Sequence, residues 1–260
     1  MKVLFVGDVF GRPGRRALKR GLASSRATHA PDLVIVNGEN AAGGFGITPS
    51  ILDSILGDDV DVVTTGNHVW DRREIYEALD RESRILRPDN YPRGNPGRGV
   101  WAATRAGRQV AVLNLQGRVF MKDLDCPFRR LDALLDRPEV GAAEVVVVDF
   151  HAEATAEKIA LAHYADGRVS ALVGTHTHVP SADARILPRG TAYVTDVGMT
   201  GPHGGVIGVR AGSAIERFLK QTPNRFEVAE EDVRFQAVVI TVDPAIGRAT
   251  AIERIDEPYD

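Results

Sequence analysis

The sequence predicts an α/β protein in which sheets form a sandwich flanked by helices. Two observations lead to this fold class. Through most of the chain, short apolar, β-branched runs alternate with helical patterns, which is typical of stacked β-α units. In the C-terminal part, strand-like runs at 235–243 and 249–254 are joined by a short turn, which predicts an antiparallel hairpin. We therefore expect mixed sheets, with parallel strands near the functional site and antiparallel strands toward the end.

Each element follows from its own stretch of sequence. Strands are predicted at residues 2–7, 33–37, 60–65, 109–115, 145–150, 169–174 and 191–196. Helices are predicted at residues 13–27, 48–57, 71–82, 128–137, 154–166 and 211–220. Pro13 lies just inside the first helix, and Thr48-Pro49 supplies an N-cap residue and a proline at the first helical position. Because no linker-like break occurs, residues 1–260 are predicted to form a single domain.

Composition excludes some classes of partner and indicates the cellular compartment. The net charge of −3 and the pI near 6.2 argue against nonspecific binding to nucleic acid or membranes, which requires a basic surface. The single cysteine, Cys126, cannot form an intramolecular disulfide, and no apolar stretch approaches the roughly 18 residues of a membrane-spanning helix. We expect a cytoplasmic protein with no membrane partner.

Side chains that bind metals follow five of the predicted strands. The segment Val173-Gly-Thr-His-Thr-His178 has two imidazoles two residues apart, and the period of a strand points both to one side. Such a pair alone is also compatible with a polar loop. Four more apolar runs end in Asp8, in Glu39 and Asn40, in Asn67 and His68, and in His151. Because α/β proteins build their sites at the carboxyl ends of strands, this arrangement predicts a metal site.

Six blocks of the sequence resemble the YmdB-like branch of the calcineurin-like metallophosphoesterases. They span residues 7–15, 37–47, 65–71, 148–155, 174–183 and 195–202, in the family's order. The resemblance implies a four-layer α/β/β/α metallophosphoesterase sandwich with a dinuclear metal centre. It also implies hydrolysis of phosphodiesters, with 2′,3′-cyclic nucleotides as the substrates associated with this branch.

The chain departs from the wider superfamily in two places. Most members begin with Asp-x-His, whereas here Asp8 is followed by Val9 and Phe10, and Phe10 cannot bind a metal. The usual bridging aspartate is replaced by Glu39, which Asn40 follows. The YmdB-like branch shares both changes, with Asn40 as the replacement ligand. The two changes therefore indicate this branch within the wider superfamily.

The resemblance also implies a ligand set for two transition-metal ions per chain. The first metal would bind Asp8, Glu39, Asn40 and His178. The second would bind Glu39, Asn67, His151 and His176, with Glu39 bridging the two. Oxygen and imidazole ligands without thiolate suit iron, manganese or zinc, and the family suggests iron. A hydroxide bridging the metals would then attack phosphorus.

His68 is the candidate proton donor to the leaving ribose oxygen. It adjoins the ligand Asn67 but is not needed to complete either ligand set, and imidazole as a class titrates near neutrality. The alternatives are that His68 is a third ligand or a packing residue. Asp71 is a candidate for orienting it, and His203 is a candidate for the pocket lining. The glycines at 43–46 either admit the phosphate to backbone amides or simply form turns.

These observations favour a metal-dependent phosphodiesterase that converts 2′,3′-cyclic nucleotides to 3′-monophosphates. One alternative is a phosphatase or nucleotidase of broader specificity, and another is a non-catalytic regulator that binds metal and nucleotide. RNA ends are a further candidate substrate, and a homo-oligomer is the default expectation. Only 6% of the residues are aromatic, so we expect a shallow pocket in which the identity of the base matters little.

Overall fold

A computed structural model describes residues 1–259, and within them two sheets pack face to face. The strands are β1 (Lys2–Val6), β2 (Asp8–Val9), β3 (Leu33–Asn37), β4 (Val62–Thr64), β5 (Ile85–Leu86), β6 (Val100–Arg105), β7 (Arg108–Gln116), β8 (Val145–His151), β9 (Ala171–Thr175), β10 (Arg185–Ile186), β11 (Ala192–Val194), β12 (Met199–Pro202), β13 (Val233–Asp243) and β14 (Arg248–Pro258). The helices are α1 (Gly11–His29), α2 (Pro49–Gly57), α3 (Ile75–Arg81), α4 (Pro127–Leu135), α5 (Pro138–Gly141), α6 (Thr155–Ala165) and α7 (Ala211–Lys220).

Both sheets are mixed. One has the strand order β2-β12-β13-β1-β3-β4-β5, with β14 also paired to β13, and the other has the order β10-β11-β9-β8-β7-β6. Strands β1, β3, β4 and β5 run parallel, as do β7, β8, β9 and β11. In contrast, β13 is antiparallel to β1, β12 and β14. The predicted C-terminal hairpin is therefore confirmed, and β13 also extends the first sheet beside β1.

Four layers follow from the alternation of side chains along the strands. In β1, Val3 and Phe5 face the second sheet and pack in a core with residues such as Val112 and Val147. Their neighbours in the strand belong to a different core, between the first sheet and helices α1, α2 and α3. A third core joins the outer face of the second sheet to α4 and α6. The layers are thus α/β/β/α, as predicted.

Several elements differ from the expectation. Strand β6 differs from the expectation because the run Val100-Trp-Ala-Ala-Thr-Arg105 has few β-branched residues, and it lies at a sheet edge beside β7. Helix α3 begins at Ile75 instead of residue 71, because residues 67–74 form turns in which the Asp71 N–H donates to the His68 carbonyl at 3.1 Å. The short strands β2, β5, β10 and β12 were also not predicted, because they are too short for a periodic pattern.

None of the helices within residues 1–259 is both long enough and apolar enough to cross a membrane.

Candidate metal centre

The seven side chains predicted as metal ligands come together where the two sheets meet. They follow or end strands β1, β3 and β4 of the first sheet and strands β8 and β9 of the second. Most are completely or almost completely buried, as in Asp8 and Glu39 at 0% exposure and His178 at 8%. The carboxyl ends of parallel strands from both sheets thus converge, as expected for an α/β protein.

One cluster surrounds the imidazole of His151. Its Nε2 lies 2.9 Å from Glu39 Oε1, 3.0 Å from Asn67 Oδ1 and 3.0 Å from His176 Nδ1. A ring nitrogen carries at most one hydrogen, so His151 Nε2 cannot satisfy all three neighbours by donation. A divalent transition metal binds oxygen and imidazole nitrogen atoms that lie close together. This cluster supplies a carboxylate, an amide and two imidazoles. The donor set therefore fits a metal.

A second cluster surrounds the side-chain amide of Asn40. Its Nδ2 lies 3.4 Å from Asp8 Oδ1, 3.4 Å from Glu39 Oε1 and 3.1 Å from His178 Nε2. A half-turn of the Asn40 side-chain amide exchanges the places of its oxygen and nitrogen. With the oxygen turned inward, the same four groups would offer ligands to a cation. Because Glu39 belongs to both clusters, its carboxylate is placed to bridge them.

Burial and mutual charge set the pKa values of these groups. Burial raises the pKa of Asp8 well above its usual range, and burial together with the charge of His151 lowers the pKa of His176 to about 3. Burial also disfavours the charged forms of Glu39 and His151, but their attraction outweighs it. The net pKa of Glu39 is therefore lowered and that of His151 raised. The Glu39 carboxylate thus stabilises the positively charged form of the buried His151 side chain. A metal cation at the same place would be stabilised in the same way.

A chain of hydrogen bonds that the sequence analysis missed holds His151. Its Nδ1 lies 2.9 Å from the Thr175 hydroxyl, which donates to Asp149 Oδ1 at 2.7 Å. Asp149 also accepts from Thr64 at 2.5 Å and from Asn37 at 3.1 Å, and burial raises its pKa to about 6. A signal was present in the sequence, because Asp149 precedes His151 by two positions in the same strand and so faces the same side.

A buried ion pair, also missed, supports the loop after β9. The Asp196 carboxylate accepts from Lys158 Nζ at 2.8 Å and from the Thr177 backbone N–H at 3.1 Å, and both side chains of the pair are almost fully buried. On either side of Thr177, His176 and His178 have positive φ angles of 104° and 65°, which non-glycine residues rarely adopt. Such backbone strain persists only where surrounding contacts enforce it, and it clusters at functional sites.

His68 stands beside the ligand clusters. Its Nδ1 lies 2.8 Å from Asp71 Oδ2, as the orienting role suggested for Asp71 requires, and its backbone N–H donates to Glu39 Oε2 at 3.1 Å. The ring packs edge-on against Phe45, with centroids 5.1 Å apart. His68 is therefore anchored to the centre through its backbone, and its side chain remains available to a bound molecule.

A cavity of about 430 Å³ opens over the centre. Its polar end is lined by Glu39, Asn40, His68, His176 and His178. Its other walls are largely apolar and include Phe10, Phe45, Val206, Ile207, Phe218 and Phe226. The expectation that few aromatic residues are available to stack a base is therefore wrong at this cavity, because four phenylalanines of the chain line it.

The candidates for the pocket lining and for phosphate contact, His203 and the glycines at 43–46, have other surroundings than expected or other reasons for their residue type. The His203 imidazole does not line this cavity, and its Nε2 lies 2.9 Å from the Met199 carbonyl oxygen. Gly43, Gly44 and Gly46 all have positive φ angles, so the turn itself requires glycine there. At Gly44, which lines the cavity, a Cβ would lie 2.6 Å from the Phe10 ring.

A four-layer sandwich that gathers carboxylates, amides and imidazoles at the carboxyl ends of its strands defines an enzyme of the metallophosphoesterase class. Comparison with known families specifies the class further: the chain belongs to the YmdB-like protein family, whose profile matches residues 4–255. The resemblance seen in the sequence motifs is thereby confirmed.

Known proteins are similar to the chain over nearly its whole length. A curated Bacillus subtilis (strain 168) protein named 2′,3′-cyclic-nucleotide 2′-phosphodiesterase is 47% identical over 255 residues, which cover 98% of this chain and 96% of that protein. A crystal structure of a hypothetical protein from Thermus thermophilus superposes with a TM-score of 0.94 at 45% identity and full coverage of both chains. The structure of a novel phosphatase from Mycoplasma pneumoniae gives a TM-score of 0.92 at 35% identity and covers 99% of this chain and 93% of that one.

Proposed function

We propose that the protein is a metal-dependent phosphodiesterase that hydrolyses 2′,3′-cyclic nucleotides to 3′-monophosphates. One observation carries the proposal: Glu39 lies in two adjoining clusters of metal-binding atoms, and both border the same cavity. The name and the 47% identity of the Bacillus subtilis relative support this choice of substrate.

The proposed ligands of the first metal are Asp8, Glu39, Asn40 and His178, and those of the second are Glu39, Asn67, His151 and His176. Two divalent ions bound there would supply a Lewis acid for the phosphate and lower the pKa of a water nucleophile. The two carboxylates neutralise only half the charge of two such ions, so the site would attract an anion although the whole chain is acidic. Iron is the proposed metal, with manganese and zinc as alternatives that suit the same ligands.

His68 is proposed to protonate the leaving 2′ oxygen. Asp71 accepts the hydrogen on Nδ1 and orients the ring, which leaves the Nε2 hydrogen for the substrate. The hydrogen bond from the His68 backbone N–H to the Glu39 carboxylate holds His68 beside the ligand clusters. Protonation of the 2′ oxygen leaves the phosphate on the 3′ oxygen, so the product is the 3′-monophosphate.

The test is to measure the metal content of the purified protein and to separate its products from 2′,3′-cyclic AMP by chromatography. We expect close to two transition-metal ions per chain, conversion to 3′-AMP, and slower turnover of 3′,5′-cyclic AMP because its six-membered ring is less strained. Faster hydrolysis of 4-nitrophenyl phosphate than of the cyclic nucleotide would favour a broader phosphatase. No product from the metal-loaded protein would favour a regulator.

A further inference from the structure

Much of the apolar part of the cavity is built by a segment far from the candidate ligands in sequence. Phe218 lies on α7 and Phe226 lies in the loop after it, while Phe45 follows β3. Phe218 is 73% exposed and Phe226 is 37% exposed. Phenylalanine is usually buried, and exposed apolar side chains grouped around a pocket are typical of a binding site.

This wall is continuous with the candidate metal centre. The cavity that Phe218 and Phe226 line is the same one that His68, His176 and His178 line. Its volume of about 430 Å³ falls in the range of roughly 300–1,000 Å³ that is usual for small-molecule sites. A single molecule can therefore contact the polar end and the aromatic wall at once.

We propose that Phe218, together with Phe226 and Phe45, forms a nucleobase subsite that binds the base of the nucleotide whose phosphate lies at the metal centre. This inference rests on the proposed function and adds that the base, and not only the cyclic phosphate, is recognised. A nucleotide has the same polarity as the cavity, with an anionic group at one end and a flat aromatic ring at the other. Arg217, which also lines the cavity, adds positive charge to this wall.

Other features of the cavity agree with a flat aromatic occupant. Phe45 packs edge-on against His68 at 5.1 Å, and Phe10 packs edge-on against His178 at 5.6 Å between ring centroids. Each ring thus links a candidate catalytic or ligand imidazole to the apolar wall.

The test compares two substrates in the metal-loaded protein: 2′,3′-cyclic AMP, and methyl riboside 2′,3′-cyclic phosphate, which lacks the base. Stacking on an aromatic side chain strengthens binding by about 5- to 150-fold per base. We expect the wild-type KM to be lower for the nucleotide by a factor in this range. Phe218→Ala should raise the KM for the nucleotide at least about fivefold with little change in kcat, and should leave the KM of the base-free substrate unchanged.

The matched control is Leu219→Ala. Leu219 is the next residue of α7 and is 80% exposed, but it does not line the cavity. It should leave the KM of both substrates unchanged. Because Phe218 is itself exposed, its replacement is not expected to unfold the chain. An equal rise in KM for both substrates, or an unchanged KM for the nucleotide, would overturn the subsite.

Calorimetric binding of 3′-AMP separates this inference from the proposed function, because it needs no turnover. If the wild-type protein turns over neither substrate, the proposed function fails. The subsite is still supported if 3′-AMP binds the wild type at least about fivefold more tightly than Phe218→Ala, and it is refuted if the two affinities are equal.

Discussion

At the scale of single residues, His151 and His68 contact Glu39 in different ways. His151 contacts the Glu39 carboxylate through its ring, whereas His68 contacts it through its backbone N–H. The ring of His68 is therefore free of the ligand clusters while remaining beside them. This separation agrees with the proposed roles of His68 as proton donor and His151 as ligand.

His68→Ala is expected to keep both metals and to lower kcat for 2′,3′-cyclic AMP by about 10²–10⁴-fold, because only proton donation is removed. The loss should be smaller for bis(4-nitrophenyl) phosphate, whose leaving group needs no proton. Steady-state kinetics with both substrates and elemental analysis measure these effects. The control is His163→Ala on the exposed side of α6, which should have no effect. Equal losses for both substrates would show that His68 has another role.

At the scale of secondary-structure elements, the turn after β4 has to pass very close to β8. A Cβ at Gly66 would lie 2.2 Å from Cδ2 and 2.3 Å from Nε2 of His151. His151 is completely buried and is held by Thr175, so it has little freedom to move away. Glycine at position 66 is therefore a condition for the Asn67 amide to reach the His151 imidazole.

Gly66→Ala is expected to displace the His151 ring and to remove most of the metal bound by the cluster around it, so that about one ion per chain remains. Elemental analysis after removal of free metal measures this, with circular dichroism to check the fold. The matched control is Gly57→Ala at the end of α2, where a Cβ would meet no other atom within 4 Å. Full metal content in Gly66→Ala would contradict the arrangement described.

At the scale of the whole molecule, the candidate metal centre joins the two sheets. Glu39 and Asn67 come from the first sheet, and His151 and His176 come from the second. The sheets also share the apolar core that contains Phe5 and Val147. Metal binding should therefore stabilise the packing of the sheets against each other, because a ligand that binds only the folded state adds to its stability.

Removal of metal by a chelator is expected to lower the Tm by about 10–20 °C, since free metal at a hundredfold excess over Kd contributes about 2.7 kcal/mol per site, or about 5.4 kcal/mol for two sites. One cooperative transition is expected with and without metal, as for a single domain. Differential scanning calorimetry measures both features. Readdition of metal should restore the Tm, and an unchanged Tm after verified metal loss would refute a link between the centre and the sheets.

Much of the molecule follows from local sequence patterns. Runs such as Val3 to Val6 and Val145 to Val148 identify strands because alternate residues have to enter two different cores. The side chains that end these strands were expected at one edge, and the structure places all seven predicted ligands there. The direction of each strand was sufficient to expect these side chains together, whereas the choice of seven ligands among them came from the family resemblance.

Tertiary structure alone decided which distant segments meet. The pairing of β1 with β13, the bonds from Thr64 and Thr175 to Asp149, and the place of Phe218 in the same cavity as His68 all join residues remote in sequence. Periodicity reports which side of an element is apolar, but it carries no information about which element will cover that side. The low aromatic content of the chain was therefore a poor guide to the cavity, because what matters there is where folding brings the phenylalanines together.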